Sequence, residues 1–231
     1  GMALECSGST GHGLTHDLGL LTNTFTAMAW VRPDGIQPDY TAIVIASGAG
    51  GGFNFRQNNE LGYHWPGGAW WWSSGLTVPQ NQWSHVAMTV APDGVRVYLD
   101  GVEAHHAFAA ELGEQDVQFL GSYRGWGSRN MTGALDEVKI WNRTLSREEI
   151  REQRHLTLAQ SEVEADPDLV AYYQFNEDTH FLVNKRGSST HGTFSGGSTL
   201  AASTAVVGSG VLDRVMVDGS GTVALPNVGG S

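Results

Sequence analysis

Three aromatic clusters are the residues in this sequence whose types and spacing are best suited to chemistry. They are Tyr63-His64-Trp65, Trp70-Trp71-Trp72 and Tyr123-Arg124-Gly125-Trp126. A sugar ring has an apolar C–H face and a rim of hydroxyl groups, so flat aromatic side chains with a few polar neighbours suit it. Trp65 precedes a Pro-Gly-Gly run and Trp126 lies between two glycines, so we expect both in loops. The predicted ligand-binding residues are Trp65, Trp71, Tyr123, Arg124 and Trp126.

The run of three tryptophans divides between two faces if it forms a strand. Alternation places Trp70 and Trp72 on one face and Trp71 on the other. At least one of the three tryptophans should therefore face outward.

Carboxylates are the other residues to consider, because retaining glycosidases use two carboxyl groups about 5–5.5 Å apart. The run Glu111-Leu112-Gly113-Glu114-Gln115-Asp116 has a glycine inside a turn-like stretch. Asp136 and Glu137 are adjacent, so on a strand they point to opposite faces. The single Cys6 has no motif around it, and no Gly-x-Ser-x-Gly elbow occurs. We therefore predict no catalytic residues, with a glycoside hydrolase or polysaccharide lyase as an alternative.

Charge and composition argue against two classes of partner, nucleic acids and membranes. The 231 residues carry 13 basic and 24 acidic side chains, for a formal charge of −11. Such a chain lacks the positive surface that binds nucleic acid or anionic membranes. It also contains no apolar run approaching the roughly 20 residues that span a bilayer.

The elements that must position these residues are short strands. The segment FTAMAWV at 25–31 is apolar on both faces and predicts a central buried strand. Between residues 83 and 108, the pairs Asp93-Gly94 and Asp100-Gly101 predict two successive hairpins. One short helix is predicted from Arg147 to His155, because Ser146 and Glu149 form a capping box. The residues from 162 to 168 are interpreted as an acidic loop.

Four motifs in order carry a family resemblance. They are FTAMAWVRP at 25–33, NQWSHVA at 81–87, VYLDG at 97–101 and GALDEVKIWNRTLS at 133–146. Together they resemble the laminin-G-like domains of the concanavalin A-like lectin/glucanase superfamily. The resemblance implies an all-β, antiparallel jelly-roll β-sandwich with one short helix after the strand that contains Asp136, Glu137 and Val138. It also implies that Trp70 and Trp72 pack internally as framework, which leaves Trp71 facing outward.

The resemblance also has implications for a metal and for location. Domains of this kind often hold a structural calcium ion, and the Gly-x-x-Asp-Glu motif nominates Asp136 as a ligand. Ser7 departs from the pattern, since a neutral hydroxyl replaces the matching carboxylate. The implied location is extracellular or at a cell surface.

The function that follows is a non-catalytic recognition module. Its expected partner is a carbohydrate, bound by loop aromatics, and a protein-binding adhesion or assembly module is the alternative. We expect a monomeric module of a larger protein.

Residues 1–231 are predicted to form a single sandwich, with 1–160 as the main body. The sequence LVAYYQFNE at 169–177 and His191-Gly192-Thr193 resemble the opening segment of such domains. The 161–231 region therefore either completes the same sandwich or begins a second repeat. We favour completion, since a lone opening segment could not bury its own apolar face.

Overall fold

The computed structural model describes residues 1–8, 10–177, 179–187, 190–209, 216–217 and 223–224. The first ten strands are β1 (Met2–Ser7), β2 (His12–Thr22), β3 (Phe25–Pro33), β4 (Ala42–Ala46), β5 (Gly52–Phe55), β6 (Leu61–His64), β7 (Ser84–Ala91), β8 (Gly94–Leu99), β9 (Val102–Ala107) and β10 (Gly113–Leu120). The rest are β11 (Thr132–Trp141), β12 (Leu156–Thr157), β13 (Leu169–Tyr173), β14 (Phe181–Leu182), β15 (Gly192–Ser195), β16 (Thr199–Ala202), β17 (Gly208–Ser209), β18 (Met216–Val217) and β19 (Val223–Ala224). The two α-helices are α1 (Arg147–Gln153) and α2 (Gln160–Ala165).

Two antiparallel sheets form the molecule. The first sheet has the order β16-β1-β11-β3-β7-β8-β9, and β13 also pairs with β11. The second has the order β14-β15-β2-β10-β4-β5-β6. The predicted all-β jelly-roll sandwich is confirmed. Neither helix in the described residues is long and apolar enough to cross a membrane.

The main core lies between the two sheets. β3 contributes Phe25, Ala27, Ala29 and Val31 to it, and these residues meet side chains from the second sheet such as Phe53. The intervening Met28 points the other way, into a second apolar cluster. β3 is therefore buried on both faces, as its continuous apolar sequence predicts.

The two predicted hairpins are present. β7 pairs with β8, and β8 pairs with β9, in antiparallel register. Gly94 (φ 133°), Asp100 (φ 49°) and Gly101 (φ 79°) all adopt the positive φ that these tight turns need.

Two helices cover the outer face of the first sheet. α1 begins with the predicted capping box, in which Ser146 Oγ accepts from the Glu149 amide and Glu149 accepts from the Ser146 amide. α2 was not predicted, since 162–168 was interpreted as a loop. Burial of Val163 in the second apolar cluster supplies the long-range contact that stabilises this short helix.

The C-terminal third adds strands to both sheets. β13 pairs with β11 and β16 with β1 in the first sheet, while β15 pairs with β2 in the second. Among the described residues, β18 and β19 pair only with each other. Residues 210–215, 218–222 and 225–231 lie outside the described part, so the division of 1–231 into domains stays a prediction.

A buried histidine lies under the helices. His85 is almost fully buried, and neither ring nitrogen has a hydrogen-bond partner among the described residues. Its ring meets Trp30 edge-on, with 5.8 Å between centroids. Burial lowers the pKa of His85 well below its usual value, and the positive charges of Lys139 and Arg154 add to that effect. The folded protein therefore holds this imidazole neutral.

This burial predicts acid sensitivity. The unfolded chain takes up a proton on His85 below about pH 6.5 and the folded chain does not, so stability falls as the pH drops through that value. From pH 6.5 to 4.5, the wild type should lose up to about 1.4 kcal/mol per pH unit more than His85→Leu. Urea unfolding at several pH values measures this difference, because the other titrating groups are common to both proteins.

Replacing the exposed His105 by Gln is the matched control, because it removes an imidazole from the surface instead of the interior. Identical pH dependence in wild type and His85→Leu would show that His85 does not destabilise the folded state in acid.

Candidate functional site

Six side chains from three loops form one surface, which we name the aromatic face. They are Tyr40 from loop 34–41, Trp70 and Trp71 from loop 65–83, and Tyr123, Trp126 and Arg129 from loop 121–131. Ring contacts link the tryptophan pair to Tyr40, with centroids 5.5 Å apart for Trp70 and Trp71 and 5.3 Å apart for Trp70 and Tyr40.

Arg129 joins the two halves of the aromatic face. Its guanidinium carbon lies 5.2 Å from the Tyr40 ring centroid, 5.0 Å from that of Tyr123 and 5.3 Å from that of Trp126. Each distance is within the range of a cation–π interaction. The guanidinium thus holds together rings that belong to different loops.

Tyr123 anchors the aromatic face to the second sheet. Its side chain packs on Ala42 and Ile45 of β4 and on Phe119 of β10. These residues lie outside the main core, so the aromatic face covers the outer side of that sheet. The Tyr123 hydroxyl also lies 3.4 Å from His64 Nδ1. Burial, and secondarily the positive charge of Arg124, lowers the pKa of His64.

Arg124 is close to the aromatic face, but its guanidinium already donates hydrogen bonds to backbone carbonyls. Its Nε donates to the Ala46 carbonyl at 3.0 Å and its Nη2 to the Gly50 carbonyl at 3.5 Å. The guanidinium carbon also lies 5.3 Å from the Tyr123 ring centroid. Arg124 therefore ties the loop after β4 to Tyr123, and we assign it a positioning role.

Two residues at this site have unusual backbone conformations. Tyr40 (φ 63°) and Arg124 (φ 55°) occupy the left-handed region, which is uncommon for side chains other than Gly, Asn and Asp. Such conformations cost roughly 1–3 kcal/mol and tend to occur where a site requires them. The Tyr40 amide donates to the Phe55 carbonyl at 2.8 Å, which fixes this backbone beside β5.

The three consecutive tryptophans form a turn, so the prediction of a strand with alternating faces is wrong. The Trp72 amide donates to the Ala69 carbonyl at 2.9 Å and closes the turn. Trp71 is 61% exposed, but Trp70 is also 47% exposed, contrary to its expected internal position. Trp72 is half-buried and stacks on His106, with ring centroids 5.0 Å apart.

Trp65 is in the core, so its expected exposure in a loop is also wrong. It is only 2% exposed, and its ring centroid lies 5.7 Å from that of Phe25. Its indole N–H donates to the Glu111 carbonyl at 3.0 Å. Gly113 fits directly against the indole, where a Cβ atom would lie 2.8 Å from the ring. Trp65 therefore offers no ring face to a ligand, whereas Trp126 is 56% exposed.

Sequence reasoning missed three members of the aromatic face. Tyr40 has no aromatic neighbour in the sequence, and Arg129 lies three residues beyond the cluster that ends at Trp126, so neither belongs to an aromatic run. Trp70 is predicted as framework because the sequence does not reveal the turn at residues 69–72. Trp71, Tyr123 and Trp126 were predicted as site residues, and the structure brings them into one surface with Arg124 beside it.

Asp136 is buried and forms hydrogen bonds with its neighbours in the protein. Its Oδ1 accepts from the Glu137 amide at 2.8 Å and its Oδ2 from the Ser203 hydroxyl at 2.5 Å. Burial raises the pKa of Asp136 to about 7. Calcium needs six to eight oxygen ligands, but in the described part of the chain no three His, Cys, Asp or Glu side chains are grouped to hold a metal ion. Calcium at Asp136 stays an expectation of the resemblance alone.

Ser7 is not beside Asp136 either. The strand register places Ser7 opposite Thr132, whereas Leu4 is the residue opposite Leu135. The Ser7 hydroxyl instead accepts from the Gly11 amide at 3.0 Å.

The acidic residues considered for catalysis have other roles. Asp116 accepts hydrogen bonds from the Ser47 amide at 2.9 Å and from the Ser47 hydroxyl at 2.5 Å. Glu137 accepts from the Tyr172 hydroxyl at 2.5 Å under the helices. Within the described residues, no hydrogen bond or ion pair joins a carboxylate side chain to a member of the aromatic face.

A family model covers more than half of the chain. A laminin G model of the concanavalin A-like lectin/glucanase superfamily matches residues 7–151. The chain therefore belongs to this superfamily, in agreement with the four motifs and the two-sheet fold. No curated protein matches the sequence.

Solved structures share the fold. A protein from Bacteroides ovatus, described as a candidate carbohydrate-binding protein, superposes with a TM-score of 0.69 at 17% identity over 90% of this chain and 61% of that one. A heptameric SAP-like pentraxin from Limulus polyphemus gives 0.59 at 12% identity, over 89% and 96% of the two chains. Domain 4 of an extracellular arabinanase from Geobacillus stearothermophilus, in complex with arabinotriose, gives 0.49 at 22% identity, over 61% and 71%.

The Bacteroides ovatus and Limulus polyphemus structures, with TM-scores above 0.5, show the fold alone, so the activity must be argued from the site. The chain spans about 61% of the length of the Bacteroides ovatus protein, so what that whole protein does extends beyond the matched part.

The contrast between two tryptophans can be tested through stability. Trp65→Ala should lower the free energy of unfolding by about 3–5 kcal/mol, because it leaves a large cavity between the sheets. Trp126→Ala removes an exposed ring and one cation–π contact, so the loss should be about 1 kcal/mol or less. Urea denaturation of both variants measures the two values. Equal losses would contradict the assignment of one residue to the core and the other to the surface.

Proposed function

We propose that this protein is a non-catalytic carbohydrate-binding module that works outside the cell or at its surface. The observation that carries the proposal is the aromatic face, where Trp70, Trp71 and Trp126 are each about half exposed and belong to one connected cluster. Monomeric proteins rarely expose large connected apolar surfaces without a use for them.

The chemistry of the aromatic face suits a sugar. Indole and phenol rings bury the C–H face of a pyranose, while Tyr and Trp keep a polar atom at the ring edge. Arg129 adds N–H donors between the exposed rings. The aromatic rings are already held by Arg129 and by the hydrogen bonds of their loops, so little side-chain freedom is lost when a ligand binds.

Binding fits this site better than hydrolysis. A glycosidase needs two carboxyl groups on either side of the scissile bond. The aromatic face makes no described contact with a carboxylate, and the buried Asp136 and Glu137 lie under the first sheet's helices, hydrogen-bonded to Ser203 and Tyr172. The similarity in fold to the Bacteroides ovatus protein is consistent with carbohydrate binding.

Affinity at one such site is expected to be weak, since an exposed sugar buries little area and displaces ordered water. A monomeric module in a larger protein would gain avidity from neighbouring modules.

Affinity electrophoresis in gels containing neutral and charged polysaccharides tests the proposal. At least one polysaccharide should retard the wild type. Trp70→Ala and Trp126→Ala should each weaken binding about fivefold, since a lost stacking contact is worth roughly 1 kcal/mol.

Phe181→Ala is the matched control, because Phe181 is 55% exposed on β14, at the opposite edge of the same sheet from β6. It should bind as the wild type does. If no polysaccharide retards the wild type, or if all three variants lose binding equally, the aromatic face is not a sugar site. The absence of any retardation would favour a protein-binding role.

A further inference from the structure

Arg129 differs from the other half-buried arginines of the sandwich in its partners. Arg32, Arg96 and Arg143 form ion pairs with carboxylates. Others donate to backbone carbonyls, as Arg124 does to Ala46. Within the described residues, the Arg129 guanidinium has neither an ion pair nor a side-chain hydrogen bond, and its contacts are the three aromatic rings.

This environment leaves the donors of Arg129 available. A cation–π contact attracts the charge of the guanidinium but does not accept its N–H groups. Arginine has five such donors in a rigid planar fork. Asp39, next to Tyr40 in the sequence, is exposed. In the part of the chain that the structure describes, no carboxylate pairs with the guanidinium at the centre of the aromatic face, whose contacts are aromatic rings.

The planar arrangement of the N–H groups of Arg129 indicates which chemical group they would bind. Guanidinium pairs with a carboxylate through two parallel N–H···O bonds, and such charge-assisted bonds are about twice as strong as neutral ones. Lying between exposed rings, Arg129 would meet a group at the edge of a stacked sugar. A carboxylate on a pyranose ring projects from that edge.

We propose that Arg129 makes the aromatic face selective for sugars that carry a carboxylate, as uronic acids do. This inference rests on the proposed function and narrows its ligand to a chemical class. Non-specific attraction cannot produce the same preference, because the net charge of −11 repels polyanions.

Three polysaccharides that contain uronic acids test the proposal, and we refer to them together as polyuronates. They are polygalacturonate, alginate and hyaluronan, each paired with its carboxyl-reduced form. The reduced polymer keeps the sugar ring and linkage and lacks the charge. The wild type should bind at least one polyuronate roughly tenfold or more tightly than its reduced form, the size expected for a charge-assisted pair. Affinity electrophoresis provides the dissociation constants.

Variants at Arg129 separate charge from geometry. Arg129→Gln should abolish the preference between the charged and reduced polymers while keeping residual binding to both. Arg129→Lys keeps the charge without the fork, so the preference should be intermediate. Arg147→Gln, on the exposed surface of α1, removes the same charge elsewhere and should change nothing. A thermal melt of each variant checks that it is folded.

The outcomes are distinct. Equal binding to each polyuronate and its reduced form overturns the carboxylate selectivity and leaves the aromatic face intact as a neutral-sugar site. A preference that survives in Arg129→Gln also overturns it. Tighter binding to a sulfated galactan than to every polyuronate would show that the Arg129 guanidinium prefers sulfate, which contradicts the proposal. If none of these polymers binds although another polysaccharide retards the wild type, only the carboxylate selectivity is overturned. If no polysaccharide of any kind binds, the proposed function itself is overturned.

Discussion

Burial of apolar surface between the two sheets decides which aromatic side chains remain available to a ligand. Side chains on the inner faces of the two sheets fill one core, so Trp65 and Phe53 are buried there and cannot contact a ligand. The first sheet is covered on its outer face as well, by α1, α2 and the second apolar cluster. The outer side of the second sheet, around β4 and β10, is where the aromatic face forms.

The aromatic face depends on loops that are held by specific contacts. Tyr123 is fixed on β4, and Arg124 binds the carbonyls of the loop after β4. Arg129 then joins Tyr40 to this anchored pair. The left-handed backbone at Tyr40 and Arg124 has a conformational cost that these contacts offset. A binding surface built this way is preorganised, which matters most when each sugar contact is weak.

The sequence predicts the elements whose signals are local. The apolar run of β3, the Asp-Gly turns around β8 and the capping box of α1 each lie within a few residues, and all three are present. The site is harder to predict, because contacts between residues distant in the sequence decide which side chains belong to it. Trp65 precedes Pro-Gly-Gly and Trp126 lies between two glycines, yet only Trp126 is exposed, since Trp65 packs against Phe25 in the core. The partnership of Tyr40 with Arg129 has no local signature at all.

The central claim is that the aromatic face binds the ligand, and indole N–H signals in a proton–nitrogen correlation spectrum test it most directly. The eight tryptophans give eight such signals, which single substitutions assign. On titration with an oligosaccharide of the polymer that binds most tightly, Trp70, Trp71 and Trp126 should shift, while the buried Trp65 and Trp141 should stay in place. Shifts confined to tryptophans outside the aromatic face would contradict the account.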